Sequence, residues 1–417
     1  MMVASQLFGV CMARITVRGG LSLSGEVTVS GSKNAALPII FSTLITRGVS
    51  RISGVPDIGD VRASLEIIEG YGASVLRCGS ELIIDTSVLH YARPRDELVS
   101  KIRASTYLLG ASLSRFGMVE LQSFGGCGFQ TRPIDFHIMA CERFGAAVTE
   151  GKIISHGLCG THIRFPRASV GATVNAILLA ASSKGKSVIE NYAREPHIFG
   201  LIDFLSSAGA RISVSDEAIT VEGRTLSGGS AVIEGDAIEA GTYLALSLLT
   251  GGNIRVKGVL PSALSSFLEP LLSSGAELDT DDGIRLYGRL SRKASIVAMP
   301  YPAFPTDLQP IASTLLLSGA GGIIEDRVWQ GRFGYLSALA PFGARFSVYP
   351  SSAEIYPSEL HAADTIAPDL RGGAAALILA LTAEGESRIS SLETIERGYE
   401  NIKEKLSALG ADVKIEN

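Results

Sequence analysis

A hydrophobic-Gly-Ala punctuation recurs six times along this chain, at Tyr71-Gly72-Ala73, Phe144-Gly145-Ala146, Ala208-Gly209-Ala210, Ser274-Gly275-Ala276, Phe342-Gly343-Ala344 and Leu409-Gly410-Ala411. The glycines stand 73, 64, 66, 68 and 67 residues apart. Each closes an apolar helical stretch and opens a short strand, as with Leu201 to Leu205 before Gly209 and Arg211 to Val214 after it. Glycine suits the left-handed residue that ends a helix, and β-branched residues beyond it favour extension. A period of about 67 residues is longer than the common solenoid repeats. The chain therefore reads as six related α/β units, with any active site lying between groups of them.

At 417 residues the chain can bury large cores, and two domains of three units each follow from that length. An apolar fraction of 46% with 19% charged residues excludes a largely disordered chain. Net charge is −5, and no long Lys/Arg run appears, which argues against nucleic acid or an anionic membrane as partner. Five cysteines (Cys11, Cys78, Cys127, Cys141 and Cys159) show no CxxC spacing, as expected of a reduced cytoplasmic protein. The six histidines form no metal-ligand motif, so neither a metal nor a cofactor is expected. The apolar stretch from Val3 to Met12 lacks a basic leader and is too short to span a bilayer, so residues 1–13 read as a frayed extension.

Strands are expected at Arg14 to Val17 and Gly25 to Val29, followed by a helix over Ala35 to Ile45. A second helix over Arg62 to Gly70 and a hairpin over Val75 to Ile84 complete a β-α-β-α-β-β order that recurs. Some helices are apolar nearly all round, such as Ala374 to Leu381, and such helices belong inside a structure. Helices inside and sheets outside invert the usual α/β layering. The boundary falls near Gly228 to Asp236, giving one domain over 34–232 and another from 14–33 plus 233–417. The N-terminal strand pair is expected to join the second half, because the last unit lacks its own first strands.

Four places put reactive or charged residues at element ends. Ser30-Gly31-Ser32-Lys33-Asn34 leads into a helix, where free N–H groups and Lys33 suit an anion, although a solvated lysine at a helix cap is the commoner use of such a pattern. Gly125-Gly126-Cys127-Gly128 is a glycine loop carrying one thiol with Arg132 nearby, which reads either as a reactive cysteine or as a small turn residue. In Pro305-Thr306-Asp307-Leu308-Gln309 the carboxylate is either an N-cap or a general base. Asp369-Leu370-Arg371 and Glu396-Arg397-Gly398 add two arginines near helix starts, suited to a doubly anionic small substrate if they converge with Lys33, Arg103 and Arg132.

Taken together, SGSKNAALP (Ser30 to Pro38), GGCGFQTRPIDFH (Gly125 to His137), ASVGAT (Ala168 to Thr173), AREP (Ala193 to Pro196), PAFPTDLQ (Pro302 to Gln309), DLR (Asp369 to Arg371) and ERGYENIKEKLSALGA (Glu396 to Ala411) resemble the UDP-N-acetylglucosamine 1-carboxyvinyltransferases. The likeness runs from about Ile15 to Val413 in the family's order. It implies two inverse α/β barrel domains of three units each and a monomeric cytoplasmic enzyme. The implied reaction moves the enolpyruvyl group of phosphoenolpyruvate to the 3′-hydroxyl of UDP-N-acetylglucosamine, through a tetrahedral intermediate, with release of phosphate. This is the first committed step of peptidoglycan synthesis.

By the same resemblance Lys33, Arg132 and Arg397 hold phosphoenolpyruvate, Arg371 meets its carboxylate and Arg103 joins on closure. Asn34 orients the sugar hydroxyl and Asp307 is its base. Cys127 is general acid or aids product release, and is the thiol that fosfomycin alkylates. The nucleotide sugar would lie along Arg132, Pro133, Ile134, Asp135 and Phe136, along Arg167, Ala168, Ser169 and Val170, and against Val328. The chain departs from the family pattern at Arg167, where Lys is common, at Gly128 to Thr131, at His197, and at Gln330-Gly331 before Arg332. The sister family, 3-phosphoshikimate 1-carboxyvinyltransferase, carries a DKSxSxR signature where this chain has Ser32-Lys33-Asn34-Ala35-Ala36-Leu37. A non-catalytic protein of the same fold would have no reason to keep Lys33, Cys127, Asp307, Arg371 and Arg397 together.

Overall fold

The computed structural model describes residues 13–125 and 133–416. All six Gly-Ala punctuations end helices there, with φ of +94° at Gly72, +92° at Gly145, +105° at Gly209, +115° at Gly275, +87° at Gly343 and +91° at Gly410. At the first of them Gly72 N–H donates to Glu69 O and Ala73 N–H to Ile68 O, so the last carbonyls of helix Gly59–Gly70 are satisfied as the chain turns into a strand.

The third unit shows the repeat in full. Strand His162–Arg164, helix Val170–Ser182, strand Lys186–Glu190, helix Pro196–Ser207 and strands Arg211–Val214 and Ala218–Glu222 follow one another. In its sheet the first two strands pair in parallel, the last strand pairs antiparallel with the second, and the third lies at the edge. The same order holds for Ala294–Ala298, Gly322–Asp326, Ser352–Tyr356 and Arg345–Tyr349 in the fifth unit.

The terminal strands are shared out differently from the sequence expectation. The last unit has its own first strand, Asp364–Ile366, paired in parallel with Gly385–Ser390. What it lacks is the fourth strand, and Arg14–Gly19 supplies it, inserted antiparallel between Gly385–Ser390 and Asp412–Glu416. Strand Ser24–Thr28 then opens the fourth unit beside Asn253–Lys257, and Ser230–Val232 opens the first beside Val49–Ser53. Each displaced strand fills a sheet position that would otherwise be an open edge.

The helices lie inside. Leu370 to Leu381 are all buried, because small and aliphatic residues let the helix be surrounded by its neighbours. The sheets lie outside, alternating buried and exposed residues, as in strand Val49–Ser53. Buried apolar side chains form two clusters, one drawn from residues 36–233 and the other from 15–29 and 240–413. Between these lobes the chain crosses twice, and the crossings pair: Gly31 faces Gly235 antiparallel, Ser32 N–H donates to Glu234 O at 2.7 Å, and Asp236 N–H to Ser30 O at 2.8 Å. No helix among the described residues is long and apolar enough to cross a membrane.

Candidate active site

Each inner helix of the second lobe carries an aspartate at its start: Asp236, Asp307 and Asp369. Two of them are caps. Asp236 accepts from the N–H groups of Ile238 and Glu239, and Asp369 from those of Arg371 and Gly372. Asp307 is different, because the short 3₁₀ turn Thr306–Leu308 precedes helix Gln309–Ser318 and no side chain caps either element. Its carboxylate instead accepts from Arg332 Nη2 at 2.7 Å and from Arg371 Nη2 at 3.3 Å. The N-cap reading of Thr306 or Asp307 does not hold.

Both arginines are fixed. Arg332 Nη1 donates to Thr306 Oγ1 at 2.8 Å, and Thr306 Oγ–H donates to the buried Asp326, which also accepts from the N–H groups of Val328 and Trp329. Arg371 is buried, with its guanidinium carbon 5.7 Å from the Tyr399 ring centre. Its Nε and Nη1 are buried without a hydrogen-bond partner among the described residues, leaving donors unspent beside Asp307. Burial pushes the Asp307 pKa up, but Arg332 and Arg371, with Lys33 adding to the pull, hold it well below the usual carboxylate range.

The second cluster spans both lobes. Lys33 begins helix Lys33–Ser42 just after the first crossing, and its Nζ lies 3.1 Å from Asp60 Oδ2. Arg397, from the second lobe, places Nε 2.8 Å from Asp60 Oδ1 and Nη2 3.3 Å from Oδ2. Asp60 is 3% exposed; burial raises its pKa, and the two cations more than reverse that. Asn34 is half-buried on the next residue of the helix. His197, at the start of helix Pro196–Ser207, lies within the field of Asp307 and Asp236; burial lowers its pKa to about 4 against their opposing pull.

A third group lies on the first lobe. Arg103 Nη2 donates to Pro133 O at 3.2 Å, and the Arg167 guanidinium sits 5.6 Å from the Phe136 ring centre. The starts of helices Asp135–Arg143 and Val170–Ser182 meet through His137, whose Cε1 would lie 2.6 Å from a Cβ at Gly171. Pro133 to Phe136 and Ala168 to Val170 are the segments that lead into these two helix starts. Cys127 and Arg132 lie outside the described residues. At the base of their loop Gly125 is obligatory, since a Cβ there would meet Ser100 O.

His137 gives this group a pH signature. Asn175 Nδ2 lies 2.6 Å from His137 Nδ1 and also donates to Thr106 O, so Nδ1 must accept and the ring must be neutral. Burial and then Arg103 lower its pKa to about 3, below the unfolded value of 6.5. The folded state therefore binds fewer protons than the unfolded chain between those values. Stability contributed by the neutral ring is complete above pH 6.5 and is lost as pH falls toward 3. Urea titrations should show a loss of about 1.4 kcal/mol per pH unit from this group within that window, and a His137→Leu variant should lack it. Equal pH slopes in the two proteins would rule out the assignment.

The model of the EPSP synthase family, 3-phosphoshikimate 1-carboxyvinyltransferase, matches residues 17–406. A UDP-N-acetylglucosamine 1-carboxyvinyltransferase 3 from Caldanaerobacter subterraneus subsp. tengcongensis is 40% identical over 417 residues, covering 96% of this chain and 99% of the relative. UDP-N-acetylglucosamine 1-carboxyvinyltransferases from Halothermothrix orenii, at 38% identity, and Streptococcus agalactiae serotype V, at 40%, each align over 97% of this chain and 99% of their own length. The chain belongs to the UDP-N-acetylglucosamine 1-carboxyvinyltransferase family.

The fold of this family is also that of two solved neighbours. The enolpyruvyl transferase NikO from Streptomyces tendae superposes with a TM-score of 0.87 at 24% identity, over 97% of this chain and 99% of its own. EPSP synthase from Acinetobacter baumannii gives 0.74 at 16%, over 97% and 100%. Of the family residues expected from the sequence, Asp307 and Arg371 touch, Lys33 and Arg397 meet on Asp60, and Val328 is tied to the Asp307 cluster through Asp326. Sequence reasoning missed Asp60 and gave Arg332 no role. Asp60 follows Gly59 at a helix start and looks like any acid favoured there.

Proposed function

We propose that the protein transfers the enolpyruvyl group of phosphoenolpyruvate to the 3′-hydroxyl of UDP-N-acetylglucosamine and releases phosphate, the first committed step of peptidoglycan synthesis. The observation that carries this reading is Asp307, which, unlike Asp236 and Asp369 at the other two inner-helix starts of the second lobe, is not spent on capping and is held beside Arg371 within the field of Lys33. In the proposed first step Asp307 takes the hydroxyl proton as the oxygen attacks C2 of phosphoenolpyruvate, and a proton is delivered to its methylene carbon. In the second, C2–O bond cleavage expels phosphate and the methyl group returns a proton.

Lys33 and Arg397, with Arg132, would hold the phosphate, and Arg371 the carboxylate, using donors that are buried and unspent in this state. Asn34 would orient the sugar hydroxyl. Cys127 would supply the methylene proton or aid release. Arg103 would join the donor on closure, and Arg132 to Phe136, Arg167 to Val170 and Val328 would line the nucleotide sugar. The two lobes would act as domains over 34–232 and 14–33 plus 233–417, closing on the donor as a cytoplasmic monomer.

Phosphate release from phosphoenolpyruvate should therefore require UDP-N-acetylglucosamine and be absent with shikimate 3-phosphate. Release with shikimate 3-phosphate alone would overturn the acceptor while keeping the donor. No release with either acceptor, from folded protein, would overturn the transferase reading.

A further inference from the structure

Across the cleft, the second-lobe residues Arg397 and Glu400 face the first-lobe turn that carries Asp57 and Asp60, and each side offers a carboxylate to the other. Asp60 accepts from Arg397, while Glu400 Oε1 accepts from Asp57 N–H at 2.7 Å. A Cβ on Gly59, between the two aspartates, would lie 3.4 Å from the Arg397 Cα, so the backbones are already in close approach.

Glu400 is anchored on its other side. Its Oε2 accepts from Ser30 Oγ–H at 2.5 Å, and Ser30 Oγ accepts from Lys405 Nζ at 2.7 Å. Lys405 also donates to Glu239 Oε1 at 2.6 Å, and Glu239 Oε2 accepts from Ser30 N–H at 2.7 Å. Glu239 is 2% exposed. An unbroken chain of charge-assisted bonds thus runs from the second-lobe core, through the crossing strand at Ser30, to the first-lobe turn at Asp57.

We propose that Glu400 is a positioning residue, which with Asp60 forms a reciprocal clasp holding the Lys33–Arg397 anion subsite assembled across the lobes before the donor arrives. This rests on the reading of Lys33 and Arg397 as phosphoenolpyruvate ligands. The two halves of the clasp have different fates. An incoming phosphate competes with Asp60 for the same N–H groups of Lys33 and Arg397, so that half loosens on binding. Glu400 grips a backbone N–H and a serine hydroxyl, which the phosphate does not seek. It keeps the turn in register while the cations change partner, and the cost of ordering the site is met before binding.

The test is steady-state phosphate release by the full chain with Glu400→Ala, Glu400→Gln, Ser30→Ala and Lys33→Ala. Loss of a hydrogen bond to a charged group predicts a KM for phosphoenolpyruvate raised about tenfold in Glu400→Ala, with kcat changed less than about threefold. The KM for UDP-N-acetylglucosamine should stay within about twofold, a split that general destabilisation would not produce. Glu400→Gln keeps an acceptor for Asp57 N–H and should recover most of the loss, and Ser30→Ala should fall between. An unchanged donor KM in Glu400→Ala, equal rises for both substrates, or a Glu400→Gln as impaired as the alanine variant would each overturn the clasp. Should Glu400→Ala fail to fold, Glu400→Gln and Ser30→Ala decide by their donor KM alone. An unchanged donor KM in Lys33→Ala would instead overturn the reading of Lys33 on which the clasp rests.

Discussion

Asp307→Asn should lower kcat by about 10²- to 10⁴-fold, the usual contribution of a general base, while the KM for phosphoenolpyruvate stays level or falls. Asparagine keeps the shape and one acceptor oxygen, which can stay on Arg332 while its NH2 group leaves Arg371 without that acceptor, so the pocket loses the group able to take the proton. The donor KM should not rise, because Arg371 loses a competitor for the donor's carboxylate. The same geometry explains how so weak a base can serve. Held by two guanidiniums, Asp307 is ionised well below the pH at which an ordinary carboxylate protonates. A substrate carboxylate that draws Arg371 onto its unspent Nε and Nη1 removes part of that hold, and the basicity of Asp307 rises when the hydroxyl proton has to leave. The acid limb of kcat/KM should then not report Asp307 near pH ~4, because its pKa in the free enzyme is displaced downward. Steady-state phosphate release by the variant checks the assignment, and a kcat within tenfold of wild type would end it.

Much of the fold is readable in the chain because its signals are local. A glycine at positive φ after an apolar helix, as at Gly209 or Gly410, is a requirement of a few consecutive residues. The all-round apolar run from Ala374 to Leu381 states its own burial. What escaped is non-local. Arg14–Gly19 pairs with strands almost four hundred residues away, and alternation in a six-residue strand says nothing of its neighbour. The candidate site divides along the same line. Lys33, Asp307, Arg371 and Arg397 are legible as charges at element ends. Asp60 and Glu400 act through partners on the other lobe, and Arg332 becomes meaningful only once the turn Thr306–Leu308 directs Asp307 toward it. For Cys127 and Arg132, outside the described residues, the sequence remains the whole of the argument.

The double crossing between the lobes should tolerate no added side chain. Gly31 and Gly235 occupy the same position in the first and fourth units, two residues before the inner helices Lys33–Ser42 and Ala237–Leu249. Each lies against a glycine that follows its unit's second strand: a Cβ on Gly31 would stand 1.8 Å from Gly54 O, and one on Gly235 1.9 Å from Gly258 O. Neither obstacle is a side chain that can turn away. Both are carbonyls of the turns that end strands Val49–Ser53 and Asn253–Lys257, so a methyl group must push a lobe's backbone off the crossing. Gly31→Ala is accordingly expected to cost about 3 kcal/mol or more, at the upper end for overpacking, and to weaken the pairing that carries Ser30 and Asp236 between lobes. Gly200→Ala is the control, since nothing lies within 4 Å of its Cβ and it sits inside helix Pro196–Ser207. Alanine there should be neutral or stabilise by up to about 1 kcal/mol through helix propensity. Urea denaturation of the two variants decides the matter: if Gly31→Ala is no less stable than Gly200→Ala, the crossing tolerates a side chain and the close carbonyl contact is not what holds the lobes in register.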